Sequence, residues 1–400
     1  MSSIKPQNFI VFVGKTPFPV NTASSNRVYS IAKGLIAFDA SVSVYCFGLV
    51  KKGILSNSLS YKGTIDNISW FYPSFRTASY DSRIIRGLFL ILGQVIGYPI
   101  ILYKYFNKKP YFFTSQLGFA YLFPLWIVSR ICGGKVILYR SEYPLHILKN
   151  KKTSLLHSKF TNFVTYKMFD GLFLMTHNLK SYFEKYKKKK AFIEILPLSI
   201  DIDEFNKNTP SPYSFPYIAY CGSLSNAKDG VDILIKSFAK ISSGYPKLRL
   251  LIIGDGKDMI ALKNLAKNLL QEESEKIIFT GLVGKVEVIR YITNASALAL
   301  ARPRSKQAEG GFPSKLGEYL ATGKPVVVTN SGEISSYLSD LVNARIANTD
   351  DIKDFVNKLK WVLDNPNEAK VLGEKGRLVA KAYFDMNVVA SKILNKIIDA

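Results

Sequence analysis

The sequence predicts an α/β protein of two domains, each built on a mainly parallel sheet with helices on both sides. Short apolar strands alternate with amphipathic helices along most of the chain, which is typical of βαβ units. The 400 residues are too many for one core, and 48 % of them are hydrophobic. The polar, proline-rich segment 197–216 interrupts the alternation and is interpreted as a linker.

The first half begins with a buried strand at residues 8–13, a loop from Gly14 to Ser25, a helix at 26–37 and a second strand at 41–46. The loop has no GxGxxG motif, but it follows the carboxyl end of a strand, where such sheets bind ligands. Further strands are predicted at 68–72, 111–114, 135–139, 171–175 and 193–196, with an apolar helix at 117–130.

The second half alternates more regularly than the first. Strands are predicted at 217–221, 248–253, 277–280, 297–301 and 325–328. Helices are predicted between them at 231–242, 257–270 and 286–294, and three more end the chain near 350–364, 366–382 and 386–399.

The stretch from Ala308 to Val328 contains the strongest candidate site. A small, flexible loop with two glycines leads to Pro313 at the first position of a short helix, and Gly323 ends that helix as a left-handed cap. Such a helix start exposes backbone N–H groups and favours a phosphate. Glu318, one turn further on, can accept hydrogen bonds from two sugar hydroxyls. The alternative is a glycine-rich loop in an ordinary αβ unit.

Two other loops follow strands of the second half. Gly222–Gly230 places Lys228 at the same sheet edge, where its ammonium group can neutralise a phosphate, although a surface lysine is the simpler reading. The backbone of Gly281–Val283 can contact a flat nucleobase.

In the first half, a polar cluster at Arg140–Pro144 follows a strand and includes Glu142. It is a second candidate site, unless Ser141 and Glu142 only cap the next helix. His146 follows four residues after Glu142.

The formal charge of +24 is concentrated in the first half. Residues 1–200 contain 27 Lys and Arg against 7 Asp and Glu, whereas residues 201–400 contain 27 against 23. This bias predicts an anionic partner, either phospholipid or nucleic acid. The apolar run 87–103 has basic flanks and is interpreted as a buried or interfacial helix rather than a span. Lys187–Lys190 is interpreted as a membrane contact, with a solvated face as the alternative.

Cysteines and histidines give no sign of a disulfide framework or metal site. Cys46, Cys132 and Cys221 are far apart, and His146, His157 and His177 form no ligand cluster. The apolar run at residues 9–13 is too short for a signal peptide. We therefore expect a cytoplasmic protein, peripheral on the inner face of the cell membrane.

Four motifs resemble, in order and spacing, the retaining glycosyltransferases of family 4, which have the GT-B fold. They are Cys221–Gly230, Ile253–Gly256, Phe279–Leu282 and Gly311–Val326. Residues 195–205 resemble the segment that leads out of the family's first domain. Gly14–Arg27 and Ser141–Pro144 match more loosely.

The resemblance implies two Rossmann-like domains that face each other across a cleft. Residues 1–204 would bind the acceptor, with a final helix at about 384–400 packing back onto them, and residues 205–383 would bind a nucleotide sugar. The implied catalytic residues are Glu309, Glu142 and Lys228. The implied donor-binding residues are Gly14, Ser223, Lys228, Val283, Gly310, Gly311, Phe312, Pro313, Ser314, Lys315, Leu316 and Glu318.

Three positions depart from the family pattern. The family's first glutamate falls at Gly310, so Glu309 is offset by one residue. Its frequent arginine in the first loop is Ser223 here, and Arg302 or Arg304 is the candidate replacement. Arg140–Glu142 stands where many members carry a histidine.

The resemblance implies sugar transfer from a UDP- or GDP-linked donor, with retention of configuration and with the departing phosphate taking the acceptor's proton. A helix dipole and a lysine can stabilise that leaving group without a metal or other cofactor. The expected acceptor is lipid-linked or a surface polysaccharide. The alternatives are a nucleotide-sugar epimerase on the same fold and a basic nucleic-acid-binding protein. The absence of a helix-turn-helix, RRM or zinc pattern argues against the latter, so no nucleic-acid partner is expected.

Overall fold

A computed structural model describes residues 8–20, 22–50, 59–144, 163–206 and 209–399. His146, His157 and the lysines between residues 149 and 159 lie outside these ranges. The chain forms two compact units. Unit 1 comprises residues 1–199 and 386–400, and unit 2 comprises residues 200–385. The sequence predicted that the first domain ends at residue 204 and the second at residue 383.

Unit 1 contains one sheet whose described strands run in the order β3-β4-β2-β1-β5-β6-β7-β8. All neighbouring pairs are parallel except β3 with β4. The strands are β1 Phe9–Gly14, β2 Ser41–Cys46, β3 Lys62–Ile65, β4 Ile68–Phe71, β5 Tyr111–Thr114, β6 Lys135–Arg140, β7 Gly171–Leu174 and β8 Phe192–Ile195.

The described helices of unit 1 include α1 Ala23–Ile36, α2 Arg83–Tyr105, α3 Phe119–Ile131 and α4 His177–Glu184. The central strand β1 is apolar and buried because the sheet is covered on both faces. The final helix of the chain, Met386–Ile398, packs on α1. Gly34 makes this packing possible, since a Cβ there would lie 2.3 Å from the carbonyl oxygen of Met386.

Unit 2 contains a fully parallel sheet in the order β11-β10-β9-β12-β13-β14. Its strands are β9 Tyr217–Cys221, β10 Arg249–Ile253, β11 Ile277–Gly281, β12 Ala297–Leu300, β13 Val326–Thr329 and β14 Arg345–Ala347. Chain order reverses between β9 and β12, and ligands bind at the carboxyl ends of strands at such switch points.

The helices of unit 2 lie between these strands and after them. They are α5 Asn226–Asp229, α6 Val231–Ile241, α7 Met259–Leu270, α8 Lys285–Thr293, α9 Lys306–Gly310, α10 Ser314–Ala321, α11 Ile352–Asp364 and α12 Pro366–Tyr383; the final helix, of unit 1, is α13. The predicted α/β class and parallel sheets are therefore confirmed. Two edge strands, β3 and β14, were not predicted because each is short and neither has a clear apolar alternation.

Candidate functional site

Three loops of unit 2 leave the carboxyl ends of its strands near the switch point. The first follows β9 and leads into α5, the second follows β12 and leads through α9 to α10, and the third follows β11 and leads into α8. Parallel strands place these ends at one edge of the sheet. The predicted donor-binding residues of unit 2 all lie on these loops or on α10.

The helix α10 begins one residue later than the sequence predicted. Pro313 has φ −71° and ψ 112°, so it is the extended N-cap residue rather than the first helical residue. A proline side chain cannot accept a hydrogen bond, and no side chain caps this helix. The first backbone N–H groups of α10 are thus available to an anion. Gly323 has φ +71°, the left-handed conformation predicted for it.

The segment before α10 is not the flexible loop that was predicted. Residues 306–310 form the short helix α9, because the Ser305 hydroxyl accepts a hydrogen bond from the Ala308 N–H at 3.1 Å. Glu309 lies exposed on this helix, whereas Gly310 is buried. Glu309 and Gly310 thus occupy consecutive positions of one short helix and differ in exposure.

Arg302 connects two of the loops and is almost completely buried. Its Nε donates to the carbonyl oxygen of Lys228 at 3.3 Å, and its Nη1 donates to the carbonyl oxygen of Gly311 at 3.2 Å. This guanidinium therefore braces the loops. Arg304, the other arginine considered as a phosphate ligand, is exposed.

A buried ion pair joins α10 to the loop after β9. Lys315 Nζ lies 2.5 Å from Asp229 Oδ2, and the two side chains are only 14 % and 1 % exposed. Tyr220 donates its hydroxyl to the same carboxylate at 3.1 Å. Lys315 passes over Gly222, where a Cβ would lie 1.7 Å from its Cε, so only glycine leaves room for it. The ammonium group is thereby held beside the carboxyl end of β9.

Glu318 lies on α10 close to the end of β9. The neighbouring Tyr319 fixes the helix there, because its hydroxyl accepts the Cys221 N–H at 2.7 Å. Burial raises the pKa of Glu318 to about 6, and nearby Lys315 and Lys285 partly oppose this effect. Burial raises the pKa of Cys221, and the nearby charge of Glu318 raises it further. The carboxylate is thus half-buried and costly to ionise.

The third loop completes this edge of the sheet. Val283 is half-buried and comes just before Gly284, the N-cap of α8. Lys285, the first residue of α8, forms an ion pair of 2.6 Å with Glu204. This pair lies near enough to Glu318 to influence its pKa.

The other predicted donor-binding residues of unit 2 are placed as follows. Ser223 and Ser314 are exposed, Lys228 is half-buried, and Gly311, Pro313 and Leu316 are buried. The Phe312 ring packs against Tyr337 and Phe384, with centroids 5.2 and 5.6 Å away, so its side chain belongs to the core.

The two predicted site residues of unit 1 lie at the carboxyl ends of its strands. Gly14 ends β1, and its carbonyl oxygen accepts the Phe47 N–H at 2.8 Å. Glu142 follows β6, and its carbonyl oxygen accepts from Arg140 Nε at 2.9 Å. Arg27 is close enough to Glu142 to be influenced by its charge, and burial lowers the pKa of Arg27 to about 10. Among the described residues, its buried Nε and Nη1 have no hydrogen-bond partner.

Sequence reasoning missed several residues that shape these sites. Asp229 was overlooked beside Lys228, although an acidic residue just before a left-handed glycine is a recognisable loop signal. Tyr220 and Tyr319 gave no signal because they read as apolar core positions. Arg27 was identified only as the end of a family motif. Its burial depends on contacts that are distant in the sequence.

A cavity of unit 2 lies away from these three loops. Its volume is about 810 Å³, and its lining includes Pro216, Ser296 and Pro325, which immediately precede strands. It therefore opens at the amino ends of the strands, opposite the three loops. Within the described ranges, no group of three His, Cys, Asp or Glu side chains could hold a metal ion. Independence from metal stays a prediction.

Residues 201–379 match the family Glycosyl transferases group 1. Unit 2 is therefore a glycosyl transferases group 1 domain. Solved structures show that the group 1 domain here is part of a GT-B fold. Sucrose-phosphate synthase from Thermosynechococcus elongatus has a TM-score of 0.72 at 14 % identity, covering 98 % of this chain and 99 % of that one. Anabaena HepE in complex with UDP has a TM-score of 0.69 at 14 % identity, covering 98 % and 100 %.

Curated relatives align mainly over shorter segments. A GDP-mannose-dependent monoacylated alpha-(1-6)-phosphatidylinositol monomannoside mannosyltransferase of Corynebacterium glutamicum is 26 % identical over 217 residues, 50 % of this chain and 55 % of that protein. An uncharacterized glycosyltransferase of Haemophilus influenzae is 29 % identical over 155 residues, 38 % of this chain and 41 % of that protein. The chain thus spans about half the length of the curated relatives it matches.

Proposed function

We propose that this protein is a retaining glycosyltransferase that moves a hexose from a nucleotide diphosphate sugar to a lipid-linked or surface-polysaccharide acceptor. One observation carries the proposal. Within a group 1 domain, an uncapped helix start, a buried lysine and a half-buried carboxylate share one helix, α10, at the switch point. The helix start and the lysine are complementary to a diphosphate, and the carboxylate is complementary to the hydroxyls of a ribose.

The proposed donor pose assigns one role to each group. The diphosphate lies against the N-terminus of α10, where the helix dipole and Lys315 offset its charge. Glu318 accepts hydrogen bonds from the ribose hydroxyls, and Val283 and its loop contact the base. Named relatives support a nucleotide sugar: one is described as GDP-mannose-dependent, and HepE was solved with UDP-glucose.

Transfer requires that charge developing on the leaving diphosphate be stabilised. The fixed dipole of α10 and the ammonium of Lys315 supply this stabilisation without reorganisation. In the proposed retaining reaction the departing phosphate oxygen accepts the proton of the acceptor hydroxyl as the new glycosidic bond forms. The acceptor is assigned to unit 1, where Glu142 is half-buried and the buried Nε and Nη1 of Arg27, which have no partner among the described residues, are complementary to an anionic glycolipid. The excess positive charge of residues 1–200 favours a cytoplasmic location on an anionic membrane surface.

A thermal-shift screen of nucleoside diphosphates tests the donor assignment. At a concentration of about 100 times Kd, the matching nucleotide should stabilise the protein by about 2.7 kcal/mol, without added metal and with EDTA present. Glu318→Ala should abolish the shift. The preferred base then selects the sugar donors for a transfer assay, and consumption of donor only when acceptor is present separates a transferase from an epimerase. No shift with any nucleotide would contradict the proposal.

Glu309→Gln tests whether the offset glutamate reaches the donor sugar. If it hydrogen-bonds a sugar hydroxyl, its loss should lower kcat/KM for the nucleotide sugar by about tenfold and leave nucleoside diphosphate affinity unchanged. Glu272→Gln, at an exposed position on another segment, is the matched control. Equal kcat/KM in both variants would remove Glu309 from the site.

A further inference from the structure

The helix α2 exposes an apolar face that nothing in the described structure covers. Ile84, Leu88 and Val95 are 77 %, 60 % and 65 % exposed, and Ile91 lies on the same stripe at helical spacing. The helix is long and apolar enough, by length and composition, to cross a membrane. A helix that is apolar all round is normally buried on every side. This one is buried on one side only.

The opposite face of α2 is attached to unit 1. Four of its five buried residues, Gly93, Gly97, Ile101 and Tyr105, recur every four positions. Gly97 permits close packing, since a Cβ there would lie 2.5 Å from the Phe47 ring. Tyr105 donates its hydroxyl to Ser43 Oγ at 2.9 Å. These contacts hold the helix against the sheet.

The neighbouring helix α3 has a second exposed stripe. Phe119, Phe123, Ile127 and Ile131 are all exposed and follow one another at intervals of four residues. Phe119 and Phe123 stack with centroids 5.1 Å apart. The two helices are in contact, and Tyr98 of α2 donates its hydroxyl to the carbonyl oxygen of Tyr121 at 2.9 Å.

The charge of this region identifies the kind of partner. Between Asp81 and Glu142 the sequence contains eight Lys and Arg residues and no Asp or Glu. Arg83, Arg86, Lys104 and Lys108 flank α2 at its two ends and are exposed. An apolar face edged by cations and free of carboxylates is complementary to a lipid monolayer with anionic headgroups.

We infer that α2 and α3 form a membrane-docking surface, on which the stripe of Ile84, Leu88 and Val95 inserts into one leaflet of an anionic bilayer. α2 lies in the plane of the interface and does not span, because crossing the bilayer would break its contacts with Phe47 and Ser43. Pro99 within the helix and Arg86 in its first turn also disfavour a span. This inference rests on the proposed membrane association and specifies its surface.

Vesicle flotation tests the inference with the full chain and needs no sugar transfer. The protein should float with vesicles of phosphatidylcholine and phosphatidylglycerol in 0.1 M salt, and alkaline carbonate should release it. Leu88→Gln with Val95→Gln should lower the vesicle affinity about 100-fold, because two inserted side chains are lost. Arg83→Gln with Lys108→Gln should lower it about tenfold and reduce its dependence on salt.

The control pair is Ile260→Gln with Leu378→Gln, two exposed apolar residues of unit 2 that are 76 % and 63 % exposed. It should float like wild type, and thermal unfolding should show that all variants fold. Three results would overturn the inference: no loss of binding in the Leu88 and Val95 variant, retention after carbonate treatment, or a dimer that this variant dissociates. Nucleoside diphosphate binding, measured in parallel, reports on the proposed donor site independently.

Discussion

Replacing Glu318 with alanine is expected to lower kcat/KM for the nucleotide sugar by about 100- to 1000-fold. In the proposed pose the carboxylate accepts hydrogen bonds from two ribose hydroxyls, and a bond to a charged group contributes about 1.5–3 kcal/mol. Each 1.36 kcal/mol corresponds to a factor of ten. Isothermal titration with the matching nucleoside diphosphate should show the same loss, because the ribose is bound before and during transfer.

The raised pKa of Glu318 predicts a pH dependence with a defined sign. The pKa in the folded protein is about 6, above its ordinary value of 4.5, so the folded state binds the proton more tightly than the unfolded state. The contribution of Glu318 to stability should therefore be highest below pH 4.5 and be lost as pH rises through about 6. The loss amounts to about 2 kcal/mol. Binding of ribose requires the ionised form, so kcat/KM should instead rise through pH 6.

Glu318→Gln separates these two effects. At pH 7 it should unfold at a higher temperature than wild type, because no carboxylate must ionise in the half-buried site, and it should still lose donor affinity. The rise of kcat/KM through pH 6 that is expected for the wild type should be absent from this variant. Glu272→Gln should change neither property. A glutamine variant that is less stable than wild type and equally active would contradict the donor role of Glu318.

The sequence predicted the α/β class and the placement of loops at one sheet edge more reliably than the contacts between side chains. Parallel βαβ order requires that loops such as Gly222–Gly230 and Gly281–Val283 emerge at one sheet edge, so their proximity follows from topology alone. The left-handed Gly323 also follows from local chemistry. These features depend on short-range patterns that a single sequence contains.

The partner of Lys315 could not be predicted in the same way. Lys228 and Lys315 are equivalent as residue types, and only the three-dimensional structure shows that Lys315 pairs with Asp229. The contact spans 86 positions and depends on a missing Cβ at Gly222. Two further differences from the prediction concern helix starts. The helix α10 begins one residue later than predicted because Pro313 has an extended ψ. The helix α9, which was not predicted, is capped by Ser305. The ion pair is thus decided by packing, and the two helix starts are decided by local N-cap geometry.

Replacing Lys315 with methionine is expected to abolish transfer and also to destabilise unit 2. The variant leaves Asp229, which is 1 % exposed, as an uncompensated buried charge, and breaking a buried pair costs about 3–5 kcal/mol. Tyr220 alone cannot neutralise that carboxylate. The loss of the ammonium beside the diphosphate should lower kcat by about 100-fold or more. Chemical unfolding and single-turnover transfer measure the two effects separately.

Adding Asp229→Asn to Lys315→Met distinguishes folding from chemistry. The double variant buries no charge at this position, so it should recover most of the lost stability, yet transfer should stay abolished because the Lys315 ammonium no longer meets the diphosphate. Asp229→Asn alone keeps the Lys315 ammonium group but removes the carboxylate that holds it in place. Activity should therefore fall only about tenfold. Lys236→Met, which breaks a partly exposed pair with Asp232, should alter stability by less than about 1 kcal/mol and leave transfer unchanged. Recovery of transfer together with stability in the double variant would show that Lys315 serves the fold and not the leaving group.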